Sequence, residues 1–301
     1  MVLFDLELYV VTCARYSSVF RSVPWMAIVD MPRIKVNGVE LHYAEAGSGA
    51  ETIVFAHGLL WSGRQFEPQV HALKSRYRCI AFDFRGQGKS EKPATGYDID
   101  TLTKDAAELI KALDAAPCHF LGLSMGGFVG LRLALDDAPL LRSLLLVGTS
   151  AEAEPAENLP RYRRLAWVAR WLGMRLVVRK IMSLYFGPRF LADPTKEQLR
   201  AELRRQLISV DPRGARLATE GVISRPSILH RIHDIRVPTL ILVGTDDVVT
   251  TPDKSRHIHE RIAGSRLIQL PTGHTCTIED VDGANEAIMK FLSEITDIAR
   301  R

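Results

Sequence analysis

Two rhythms alternate along the chain. Short, mostly apolar runs occur at 52–56, 79–82, 119–123 and 144–147. Runs of this length and continuity fit strands buried on both faces. Between them lie stretches with apolar residues at helical spacing, at 66–73, 99–113 and 128–135. The segment 99–113 is the clearest, with a charged face opposite the apolar one. Near the start, 34–46 alternates apolar and polar residues around Asn37-Gly38, the pattern of a β-hairpin with a tight turn.

After about Ser150 the strand signal stops. Helical segments take its place at 161–173, 175–185, 196–210 and near 215–222, separated by Pro155, Pro160, Pro188, Pro194, Pro212 and Pro226. The first rhythm then resumes, with a strand at 239–243, a helix at 252–262, a strand at 266–270 and a final helix near 283–298. Alternation of buried strands with amphipathic helices predicts an α/β fold with a mostly parallel sheet and helices on both faces. The expected division is a core of residues 31–150 and 237–301, and a helical lid inserted at 151–236. There is no internal repeat or low-complexity tract.

Residues 1–30 stand apart. Their apolar patches, at 8–12 and 22–29, are too short for a membrane helix, which needs ~18 apolar residues. Asp5 and Glu7 precede the first patch, where a secretion signal carries Lys or Arg. The segment reads as an N-terminal extension whose order the sequence leaves open, arising from an upstream start codon or an expression vector. An anchor or docking peptide is the alternative.

Length and composition add bounds. A chain of 301 residues, 47% hydrophobic and 25% charged, fits one large α/β domain that needs no disulfide or metal staple. A net charge of +4 with mixed signs argues for no nucleic-acid partner. Cys13, Cys79, Cys118 and Cys276 are scattered, without metal-site spacing, and suit a reducing, cytoplasmic setting.

The chemistry gathers at three strand ends. Gly122-Leu123-Ser124-Met125-Gly126 matches G-x-S-x-G between a predicted strand and a predicted helix. A turn sharp enough to present Ser124 would make side chains two residues to either side collide, hence glycine at both. The backbone amides opening the next helix favour negative charge there. A serine hydroxyl needs a base. His274, in Thr272-Gly273-His274, follows the strand 266–270. The base needs a carboxylate to hold its tautomer. Asp246 and Asp247 follow the strand 239–243, and spacing from Gly244 favours Asp247. The order Ser124, Asp247, His274 is that expected on this scaffold. The oxyanion donors are then the backbone NH of Met125 and, in the loop His57-Gly58-Leu59-Leu60, that of Leu59. His57 reads as a brace for its loop, not a base. A tight strand–helix turn without catalysis is the bland alternative for the serine motif.

These residues resemble the α/β-hydrolase family over nearly the whole chain from Met31 on. H-G-L-L at 57–60 resembles its oxyanion loop, and F-E-P-Q at 66–69 the aromatic segment after it. Residues 83–90 match D-x-R-G-x-G-x-S, a mainly structural loop in which Arg85 is expected to bond nearby carbonyls. His274 and Glu279 match G-H-x-x-x-x-E. The stretch GTDDVVTTP at 244–252 looks most like the 3-oxoadipate enol-lactonase and carboxylesterase branch, which opens small lactones or esters. The chain lacks two prolines seen in relatives, one after Glu279 and one after His57-Gly58. Dehalogenase-like members use an aspartate nucleophile where this chain has Ser124, which argues against dehalogenase and epoxide hydrolase activity.

Other features invite sharper readings and receive plain ones. His257 and His259, two apart on a helix, face different ways and lack H-E-x-x-H, so they read as surface. His230 and His233 read as surface near the end of the lid, and Cys276 as a spectator. The lid is rich in arginine, with Trp167, Trp171, Leu172, Leu176 and Val178 interleaved. A membrane-lying helix is one reading. The favoured one puts the apolar residues over the pocket and the arginines in water. A lid arginine binding a substrate carboxylate is a third.

The expectation is hydrolysis of a small carboxylic ester or lactone by Ser124, His274 and Asp247, with no metal or organic cofactor, no nucleic acid and no integral membrane segment. Oligomeric state is open. Alternatives are C–C bond hydrolysis of dicarbonyl compounds or cofactor-free perhydrolysis on the same triad, and a non-catalytic small-molecule binding protein.

Overall fold

The computed structural model describes residues 32–299. The extension at 1–30 lies outside them. A hairpin opens the described chain: β1 (Arg33–Val36) and β2 (Val39–Ala46) pair antiparallel. Asn37 and Gly38 both take positive φ, 45° and 75°, as a two-residue turn between twisted strands requires. The other strands are β3 (Thr52–Ala56), β4 (Arg78–Phe82), β5 (Cys118–Leu123), β6 (Leu141–Val147), β7 (Thr239–Gly244) and β8 (Arg266–Leu270). They form one sheet in the order β1-β2-β4-β3-β5-β6-β7-β8. From β4 to β8 every pairing is parallel, while β2 meets β4 antiparallel.

Burial follows this order. Strands β3, β5 and β7 are buried at every position, because helices cover both faces. Edge strand β8 is exposed or half-buried except at Leu270. The covering helices are α1 (Glu67–Leu73), α2 (Ile99–Ala112), α3 (Met125–Asp136), α9 (Pro252–His259), α10 (Cys276–Glu279) and α11 (Val281–Ala299). Helix α2 shows the local logic. Asp98 caps it by accepting from the Thr101 amide at 2.8 Å, and Ile99, Leu102, Ala106, Leu109 and Ile110 form its buried stripe. Each large apolar side chain so buried stabilises the fold by roughly 1.5–3 kcal/mol.

Between β6 and β7 the chain is helical: α4 (Leu159–Leu172), α5 (Met174–Tyr185), α6 (Pro188–Ala192), α7 (Glu197–Ile208) and α8 (Pro212–Ile223). Asp211 caps α8 by accepting from Gly214 at 2.7 Å, with Pro212 in the first turn. The short helices α6 and α10 carry no sequence signal long enough to notice. His230 and His233 are exposed and share no α-helix, since only a 3₁₀ turn spans Ile232–Asp234.

Arg85 departs from expectation. Its Nε and Nη2 bond the Asp105 carboxylate at 2.6 and 2.5 Å, not backbone carbonyls. Burial of both groups explains the choice, since a desolvated guanidinium needs an anion with matching fork geometry.

Candidate active site

Ser124 sits between β5 and α3 with φ 53° and ψ −110°. A non-glycine residue so placed carries about 1–3 kcal/mol of strain, held in place by its surroundings. Its amide donates to Val147 O at 2.8 Å, and its carbonyl accepts from Thr149 Oγ1 at 2.8 Å. The two glycines beside it are required by contact. A Cβ on Gly122 would lie 2.3 Å from Gly126 O, and one on Gly126 would lie 2.0 Å from Ala56 O. The first turn-closing bond of α3 is Phe128 N to Ser124 O, so the amides of Met125, Gly126 and Gly127 precede the helical ladder.

His274 follows β8 and is 2% exposed. Its Nδ1 lies 2.8 Å from Asp247 Oδ2. A ring nitrogen facing a carboxylate carries the proton, which leaves Nε2 as the basic nitrogen. Asp247 is fixed by its own turn: Oδ1 accepts from the amides of Val249 and Thr250 at 2.8 and 2.9 Å, and Oδ2 from Thr250 Oγ1 at 2.9 Å. Asp246 does not meet the histidine; its amide donates to Thr272 O at 2.9 Å, which ties the β7 loop to the His274 loop.

Ser124 and His274 line one cavity of about 870 Å³, part of it open to solvent. Leu59 and Leu60 form its rim beside Ser124. The Leu60 amide is taken by Gln87 Oε1 at 2.8 Å, whereas the Leu59 amide has no protein acceptor among the described residues. His57 is fully buried and consumed at both nitrogens: Nδ1 donates to Gly58 O at 2.7 Å and Nε2 accepts from the Phe84 amide at 3.0 Å. Burial pushes its pKa below the ordinary value, so the ring is a neutral brace.

The loop at 83–90 supports this rim. Asp83 accepts from the Gly63 amide at 2.7 Å, the Lys89 amide at 2.8 Å and His42 Nδ1 at 2.9 Å. Burial raises its pKa, but these donors outweigh it and hold the carboxyl below its usual range. Gln65 Oε1 accepts from Gly58 N at 3.0 Å. Glu279 bridges the His274 loop to the helical segment, accepting from Gly273 N at 3.0 Å and Gly187 N at 2.8 Å. Burial raises its carboxyl above the usual range despite these bonds. Just after Glu279, Asp280 Oδ1 accepts from Gly283 N at 3.0 Å near the start of α11.

Several supports had no sequence signal. Thr250, Gln65, Gln87 and Tyr185 are ordinary polar residues until the fold brings them in. Tyr185 Oη donates to Leu59 O at 3.0 Å, and its ring centroid lies 5.6 Å from that of His274.

The rest of the cavity is mostly apolar. Helices α4 and α5 contribute Leu165, Ala166, Ala169, Met174, Val177 and Ile181, and α8 contributes Ala215, Val222 and Ile223. One polar corner interrupts it. Arg225 Nη2 pairs with Glu154 Oε2 at 3.3 Å, and the Arg225 guanidinium lies 4.1 Å from the centroid of the Phe128 ring. Of the apolar residues expected over the pocket, Val178 is buried, but Trp167, Trp171, Leu172 and Leu176 point to solvent. Ala169, Met174, Val177 and Ile181 cover the cavity instead, because these helices wrap it with their other face. The surface histidines each have a partner: His257 Nδ1 bonds Glu152 at 2.6 Å, far along the chain, and His259 Nδ1 bonds nearby Ser265 at 2.9 Å. Cys276 is fully buried, and burial raises its thiol pKa.

A covered sheet of this strand order, with a strained serine at the elbow after its fifth strand, is the α/β-hydrolase architecture. The chain belongs to the alpha/beta hydrolase family, whose sequence model matches residues 53–287. It is 28% identical to the serine hydrolase BPHL of Mus musculus over 270 residues, covering 88% of this chain and 87% of that protein. The enol-lactonase of Burkholderia xenovorans LB400 superimposes with a TM-score of 0.81 at 31% identity, covering 87% of this chain and all of that one. A bromoperoxidase from Bacillus anthracis superimposes with a TM-score of 0.78 at 25% identity, covering 87% of this chain and 99% of that one.

Proposed function

We propose that the protein hydrolyses small carboxylic esters or lactones through an acyl-enzyme. The observation that carries this reading is the bond of His274 Nδ1 to buried Asp247 beside a strained Ser124 on the same cavity wall. In this reading His274 Nε2 takes the Ser124 proton as Oγ attacks the carbonyl carbon. The amides of Leu59 and Met125 stabilise the oxyanion. His274 then protonates the leaving alkoxide, and a water activated by the same nitrogen releases the acid. Asp247 steadies the imidazolium through its bond to Nδ1. Helices α4 to α8 act as the lid, and their apolar inner face takes the acyl or lactone chain. The similarity to an enol-lactonase supports a lactone or ester carbonyl as the electrophile.

A second reading keeps the same residues and replaces water by hydrogen peroxide, forming a peracid. The similarity to a bromoperoxidase favours it.

The test is hydrolysis of p-nitrophenyl acetate and butyrate by wild type and Ser124→Ala, with fluorophosphonate labelling mapped by mass spectrometry. Turnover and labelling at Ser124, both absent in the mutant, are expected. Folded wild type that neither labels nor turns over would leave a binding protein as the better reading. Acetate and peroxide, assayed together, separate perhydrolysis from hydrolysis.

A further inference from the structure

Helices α4 and α5 meet at Gly173, which has φ 100° and open space around it. Four large apolar side chains surround this corner: Trp167 is 54% exposed, Trp171 63%, Leu172 58% and Leu176 66%. An apolar cluster this exposed costs solubility unless something covers it. Its charge is equally one-sided. Residues 159–187 hold six arginines and one lysine and no aspartate or glutamate. Arg163 is paired to Glu220 at 2.7 Å. Arg164, Arg170, Arg175, Arg179 and Lys180 have no carboxylate partner among the described residues. Leu176, Arg179 and Lys180 share a helix face at i, i+3 and i+4, as Arg164, Trp167 and Trp171 do at i, i+3 and i+7. Apolar residues ringed by cations that no carboxylate pairs, with tryptophans among them and Arg170 stacked 4.7 Å over the Trp171 ring, match a membrane interface in which indoles sit at headgroup level and arginines meet phosphates.

We propose that the α4–α5 corner docks on bilayers rich in anionic phospholipid. The inner face of the same two helices lines the cavity with Leu165, Ala169, Met174, Val177 and Ile181. Docking therefore holds the cavity wall against the phase where apolar esters accumulate. The binding itself is independent of turnover and does not rest on the hydrolase reading.

The experiment uses the full chain, with Ser124→Ala as a turnover-free control, and vesicles of phosphatidylcholine with or without phosphatidylglycerol. Co-sedimentation and a blue shift of tryptophan fluorescence are expected on anionic vesicles only, weakening with salt. Arg175→Glu and Arg179→Glu are each expected to lower the partition coefficient about fivefold or more. Trp171→Ser is expected to lower it as well, while hydrolysis of a water-soluble ester stays at the wild-type rate. Equal binding to neutral and anionic vesicles, or none to either, overturns the proposal. So does a dimer in sedimentation velocity that Leu176→Glu dissociates, which would make the corner a contact between copies.

Discussion

At the carboxyl edge of the sheet, polar groups are bonded to one another. Asp247 accepts four hydrogen bonds, counting that from His274, and His57 uses both ring nitrogens. In α4 and α5 the side chains toward the cavity are mostly apolar, and those toward solvent include arginine, tryptophan and leucine. The first region holds a few atoms to fractions of an ångström, which only directional bonds on rigid strands can do. The second sets volume and surface chemistry, which tolerate substitution. Changes at the sheet edge should therefore act on kcat, and changes in the helices on discrimination among substrates.

The largest test of that contrast is Ser124→Ala, for which we expect loss of p-nitrophenyl ester turnover on the order of 10⁴-fold or more with unchanged circular dichroism. Asp247→Asn should come next, lowering kcat by about 10⁴-fold because the amide turns the ring to the wrong tautomer. Asp246→Asn, measured alongside, should stay within about threefold of wild type, as expected for a side chain that does not reach His274. Comparable losses in the two aspartate variants would break the assignment.

A smaller effect is expected in the helices. Ala169→Leu adds bulk to the cavity wall and should lower the butyrate-to-acetate ratio of kcat/KM about tenfold. A proportional loss on both esters would mean that the mutation acts through the fold and not through the acyl pocket.

The smallest effect is on stability. Burial pushes the pKa of His57 below 6.5, so it stays neutral where the unfolded chain binds protons. Stability is then full above that value and declines as pH falls below it. Urea unfolding at neutral and mildly acidic pH measures this. His57→Asn should flatten the slope if its fold survives; a wild-type midpoint that does not move would exclude the neutral brace.

Most elements were legible because period and punctuation agree with burial. Strand β5 is mostly apolar since both its faces are covered, and α2 is amphipathic since one face meets water. The serine motif was legible because its glycines are demanded by backbone contacts within one turn. The histidine and aspartates could be chosen because each follows a strand. The two sides of α4 and α5 were not legible. Both carry apolar residues, and periodicity cannot say which face meets a cavity when neither is purely polar. The partner of Arg85 was not legible for a related reason: Asp105 lies on α2, twenty residues on, and only packing brings them within 2.5 Å.

By itself, then, the chain's order of residues determined the α/β rhythm, the elbow at Ser124 and the sequence Ser124, Asp247, His274. These follow from local sterics and from strand ends that lie close to the residues they present. The tertiary structure alone decided that Asp247 Oδ2 lies 2.8 Å from His274 Nδ1, that Gln87 occupies the Leu60 amide, and that Trp167 and Trp171 face solvent. Each depends on how separate elements are turned against one another, and a side chain's direction in space is set by packing across the core and not by its neighbours in the chain.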